Sequence, residues 1–102
     1  MTAASSGSVV TETDRWERSA EVLWRRTASG VVVLPNDASA ASCLEGLHAA
    51  LWLGLVRPMS VDVLVDHLVE HLDDDPAARR RVVSEAIRFL VALGAVRESY
   101  DK

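Results

Sequence analysis

This chain of 102 residues has a single cysteine, Cys43, so an internal disulfide is excluded and nothing points to an oxidising compartment. No stretch approaches the ~18 consecutive apolar residues of a membrane span, and MTAASSGSVV lacks the basic and apolar regions of a secretory signal. A cytoplasmic protein is expected, with no membrane contact. Bases are outnumbered, 11 Lys and Arg against 15 Asp and Glu, and the net charge of -4 argues against general nucleic-acid or anionic-surface binding. Nucleophile elbow, phosphate-binding glycine loop and Cys-x-x-Cys pair are all missing, and no Ser or Cys stands beside a plausible base. The expectation is a protein that is not an enzyme and needs no cofactor.

What is present fits one small domain with a single core. Residues 1 to 15, rich in Ser, Thr, Ala and Gly, read as a flexible tail, 16 to 98 as the domain, and 99 to 102 as a short tail, with Arg97 to Lys102 too short for another hairpin. Glu21 to Thr27 and Val31 to Leu34 are rich in β-branched and aromatic residues, and Ala28-Ser29-Gly30 supplies the turn of a hairpin. In its first strand Val22, Trp24 and Arg26 face one way, Leu23 and Arg25 the other. Val31 to Leu34 is continuously apolar and is expected to be covered on both faces. After the turn signal Pro35-Asn36-Asp37, Ala40 to Leu44 reads either as a third strand or as a loop. Ala and Ser are poor strand formers, yet small side chains suit an edge that a second backbone must approach.

Three helices follow. Glu45 to Leu53 is marked by Leu47, Ala50, Leu51 and Leu55 with Trp52 beside them, and Gly54 with Pro58 marks its end. Ser60 caps the next, which runs to Leu72 with Val61, Leu64, Val65, Leu68 and Leu72 facing inward. The last, Asp75 to Val96, has an Asp cap, Pro76 at the first helical position and Gly94 for the left-handed stop. Its apolar residues cover roughly 200° of the helix, more than one contact needs. Val82, Ala86, Phe89, Leu90 and Leu93 are assigned to the core, which leaves Val83, Ile87 and Val91 as a flank for another cover. That flank closes either against the chain itself or against a ligand. Charge is segregated: six acids and no Lys or Arg lie between Ser60 and Asp75, whereas the last helix holds Arg79, Arg80, Arg81 and Arg88 against Glu85. The basic helix is either a solvated face or an attraction for an acidic peptide.

His67 and His71 have the i, i+4 spacing that lets two imidazoles share a metal, but a third ligand would have to be His48 or Asp74, and ordinary surface histidines are the expectation. Cys43 reads as a small buried hydrophobe. Trp24 and Trp52 read as core anchors, and Trp16 as a strap over the hairpin or a partner contact.

Val22-Leu23-Trp24-Arg25-Arg26 with Val31-Val32-Val33-Leu34, then Leu44-Glu45-Gly46-Leu47-His48-Ala49-Ala50-Leu51-Trp52, Ser60-Val61-Asp62-Val63-Leu64-Val65 and Ala86 to Val96 together resemble the PqqD-like family. These are the precursor-peptide recognition elements of ribosomally made, post-translationally modified peptides. The likeness covers about residues 20 to 98. It departs where the family often has Asn-x-Thr-Gly after the third strand and Asp-Gly after the first helix, places that here read Glu45-Gly46-Leu47-His48 and Leu55-Val56.

The resemblance implies an α+β, winged-helix-like domain, a three-stranded antiparallel sheet followed by three helices, with no activity of its own. It implies that a leader peptide lies between the third strand and the third helix as an added strand. Carried over, one wall of the groove is Ala40, Ala41, Ser42, Cys43 and Leu44, and the other is Arg80, Val83, Ser84, Ile87 and Val91. The partners implied are a precursor peptide and a separate maturation enzyme, a radical SAM enzyme, a leader peptidase or a cyclase. The domain itself would be a monomer or weak homodimer that binds no nucleic acid. Two other readings stand beside it: a small winged-helix DNA regulator reading through the arginine-bearing helix, and a scaffold whose apolar flank closes a homodimer.

Overall fold

The computed structural model describes residues 15–36 and 38–99, so the expected N-terminal tail up to residue 14, Asp37 of the second turn and residues 100–102 lie outside the described residues. The order is β1 (Arg15–Arg18), β2 (Leu23–Arg26), β3 (Gly30–Leu34), β4 (Ser42–Glu45), α1 (Gly46–Gly54), α2 (Val61–His67), a 3-10 turn (Val69–His71), α3 (Pro76–Leu93) and β5 (Val96–Ser99). β2, β3 and β4 form the expected three-stranded antiparallel sheet, and three helices follow it. The class is α+β.

The hairpin closes where the Thr27 amide donates to the Gly30 carbonyl at 2.8 Å and the Gly30 amide donates to Thr27 Oγ1. Glycine is needed at position 30 because a Cβ there would stand 2.0 Å from the Leu44 carbonyl oxygen of β4. Along β3, Val31 and Val33 are buried while Val32 and Leu34 are half-buried, so one face is sealed and the other only partly covered, not both. The third strand exists, but it starts at Ser42; Ala40 and Ala41 lie in the bend before it.

Ser60 Oγ accepts from the Val63 amide and starts α2 as expected, with Leu64 and Leu68 in the core and Val61, Val65 and Leu72 packed against it. Regular helix stops at His67, and a single 3-10 turn carries the chain to Leu72. In α3, Pro76 and the left-handed Gly94 (φ 87°) sit where expected. Asp75 occupies the cap position without a side-chain hydrogen bond, and the helix ends at Leu93. The α1 helix starts at Gly46, whose φ of 57° marks the turn out of β4.

Two features correct the sequence reading. The segment assigned to a tail after Arg97 is part of β5, which pairs antiparallel with β1 from Arg15↔Ser99 to Arg18↔Val96. Trp16 also exchanges two backbone hydrogen bonds with Met59, so β1 is held on both sides. Arg15 and Ser99 thus belong to the fold.

The second correction concerns α3, whose buried face is Val83, Ala86, Ile87 and Leu90, whereas Val82, Phe89 and Val91 are exposed. These four residues occupy the middle of the wide apolar arc; Phe89 and Val82 lie at one margin, Arg80 and Val91 at the other. Arg80 is ion-paired with Asp62 of α2, and Phe89 meets His48 of α1. The arc is therefore a single deep contact between two helices, not two separate ones.

Candidate functional site

In an antiparallel ladder the backbone groups of successive residues point alternately to the two neighbouring strands. Thr27 and Gly30 bond each other, so Gly30, Val32 and Leu34 turn toward β2, and Val31 and Val33 toward β4. Leu44 and Ser42 are their register partners. The backbone groups of Cys43 and Glu45 therefore point away from the sheet, along an edge that no described strand occupies. This is a four-residue edge left open among the described residues.

Side chains alternate across the same strand. Leu44 points into the core and Ser42 is half-buried on that side, while Cys43 and Glu45 are exposed on the other face. Cys43 is thus a surface thiol, contrary to the expected buried role. Small size without a need for burial explains it: the residue sits on the outward face, where Val32 is its partner.

Beyond Glu45 the chain enters α1, and His48 in its first turn packs against Phe89 with ring centroids 4.6 Å apart and planes at 54°. Phe89 remains 47% exposed. His48, three residues beyond the end of β4, thus links that end of the strand to the apolar margin of α3, which Val82 extends two turns toward the helix start.

The expected second wall is not assembled as drawn from the sequence. Val83 and Ile87 are 0% and 2% exposed and touch no solvent groove. Arg80 lies on the opposite margin, paired with Asp62, and Ser84 is half-buried on that side. Val91 is exposed but faces a shallow depression shared with Ser19, Pro35 and Ala38. Phe89 and Val82 are the residues exposed on the other margin, with the half-buried His48 of α1 against Phe89. An aromatic residue at the margin of an over-wide arc is the signal that points to Phe89; nothing in the sequence marks His48 as its ring partner.

Elsewhere, Arg18 fixes the α1 end. Its Nε and Nη2 donate to the Trp52 carbonyl at 3.1 and 2.9 Å, where helix carbonyls lack partners, and its guanidinium lies over both Trp24 and Trp52. Burial pushes the Arg18 guanidinium below its ordinary value without threatening its charge at neutral pH. Trp52 is buried as expected, but Trp24 is 42% exposed, an anchor seen from outside. Among the described residues no three His, Cys, Asp or Glu side chains converge as a metal site, and no helix is long and apolar enough to cross a membrane. No family model, curated protein or solved structure matches the chain.

Proposed function

We propose that the domain is a non-catalytic, cytoplasmic peptide-binding module of the PqqD-like kind, which takes the leader of a ribosomally made precursor as an added strand and presents it to a separate maturation enzyme. The observation that carries this reading is the open β4 edge ending at the His48–Phe89 corner. Backbone groups of Cys43 and Glu45 supply sequence-independent hydrogen bonds to an extended peptide. Alternate peptide side chains fall on the helix side, where Phe89, Val82 and His48 offer an apolar surface. The intervening ones lie beside Cys43 and Val32. Selectivity thus rests on the exposed margin of α3 and not on Val83 or Ile87.

The resemblance to the family supports the same reading, and two of the helix's arginines are engaged within the chain. Arg79 and Arg80, which a DNA regulator would aim at phosphates, are turned onto Asp74 and Asp62.

Titration with the precursor peptides encoded beside the gene tests the proposal. A saturable signal with Kd on the order of 1 μM is expected, about -8 kcal/mol, strong enough to capture and weak enough to release. Cys43→Pro removes one outward amide at an edge position that tolerates proline, and is expected to abolish binding while the fold persists. No saturable signal from any neighbouring precursor overturns the proposal.

A further inference from the structure

Among the described residues the sheet has a second open border, and it is unlike the first. β2 is the other outer strand of the order β2-β3-β4, and all four of its residues are exposed, Leu23 to 68%. By the alternation set at Thr27 and Gly30, Leu23 and Arg25 bond to β3, which leaves the backbone groups of Trp24 and Arg26 pointing outward. The side chains divide evenly. Trp24 and Arg26 share the core-side face of the strand, Leu23 and Arg25 the other, so each face carries one large apolar group and one cation.

Two facts single this border out as a binding surface. Trp24 is exposed yet held in place: it meets Trp52 edge-on at 6.1 Å and 75°, and Arg18 lies 4.9 Å over its ring. A fixed, half-exposed tryptophan flanked by arginines is the composition of an interface anchor, since little side-chain freedom is lost on binding. Arg25 and Arg26, moreover, have no ion pair among the described residues, on a protein whose net charge is -4. Charged edge residues normally repel stray strands. Here the block is one-sided: it excludes neutral and basic strands and leaves the border open to an acidic one.

We infer that β2 takes a second protein partner as an antiparallel strand in which two consecutive acidic residues oppose Arg26 and Arg25 and two consecutive apolar residues oppose Trp24 and Leu23. The pairing puts an acid and an apolar group on each face of the new strand, matching both faces of β2. This inference is independent of the peptide site at β4, which uses the opposite border.

Blocked eight-residue peptides test it with the full chain, one with a central Glu-Glu-Val-Ile and one with Lys-Lys-Val-Ile. The acidic peptide is expected to shift the backbone amide resonances of Trp24 and Arg26, to bind about tenfold more tightly than the basic one, and to weaken at high salt. Arg25→Glu with Arg26→Glu is expected to reverse that preference. Cys43→Pro is expected to leave it unchanged, which separates this border from the other. Equal binding of the two peptides, shifts confined to Cys43 and Glu45, or displacement of the acidic peptide by oligothymidylate would each overturn the inference, the last by giving the patch to single-stranded nucleic acid.

Discussion

Ile87 and Phe89 stand two residues apart on α3 and have opposite fates. Ile87→Asp places a carboxylate among apolar groups with no partner, so it is expected to unfold the domain at a cost of at least ~3 kcal/mol, read as loss of the far-ultraviolet helical signal. Phe89→Asp changes a surface ring and is expected to leave the unfolding free energy within about 0.5 kcal/mol of wild type while weakening peptide binding. Arg18 belongs at the same scale. It satisfies carbonyls at the end of α1 and fills the space between two tryptophans, so Arg18→Met is expected to cost about 2 kcal/mol in urea unfolding, the range of hydrogen bonds to a charged group. Sequence patterns did not reveal this contact, because Arg18 and Trp52 are far apart in the chain and only folding brings them together. The Ser60 cap, by contrast, was legible, since its donor is three residues away.

Element boundaries followed local chemistry, and element faces did not. Pro76 and Gly94 mark the ends of α3 because a missing donor and a positive φ are properties of single residues. Which part of its apolar arc is buried depends on where α1 and α2 land, and no residue of α3 encodes that. The third strand is a similar case. Ala40 to Leu44 lacks strand propensity, and β4 forms because Gly30 lets the Leu44 carbonyl come close to β3. Gly30→Ala is accordingly expected to push β4 off β3 by clash with rigid backbone, lowering the melting temperature and abolishing peptide binding together. A variant that melts as the wild type would contradict this account of the edge.

At the scale of the whole molecule, the fold is closed by pairing of the first and last described strands. β1 and β5 are four residues each, RWER and VRES, with a single apolar residue apiece, Trp16 and Val96, too few to give an alternating strand pattern of their own. They are strands only because each supplies the other's hydrogen bonds, reinforced by Arg97 donating to Glu17 across 80 residues and by Met59 on the far side of Trp16. Ala95 and Val96, at the entry to β5, are fully buried, so this clip is part of the core. Truncation after Gly94 is expected to remove both strands and lower the melting temperature by several degrees, as about 1 kcal/mol shifts a domain of this size by ~4–8 °C. With β1 and β5 paired to each other, the sheet β2-β3-β4 has no further described strand on either border, and the proposed function places the peptide on the β4 border. Amide hydrogen exchange tests that central claim most directly, with a neighbouring precursor peptide added to saturation. Strong new protection at Cys43 and Glu45 is predicted, with none at Val83 or Ile87 beyond what the free domain already has. A bound peptide that leaves the Cys43 and Glu45 amides exchanging at their free rate would contradict it.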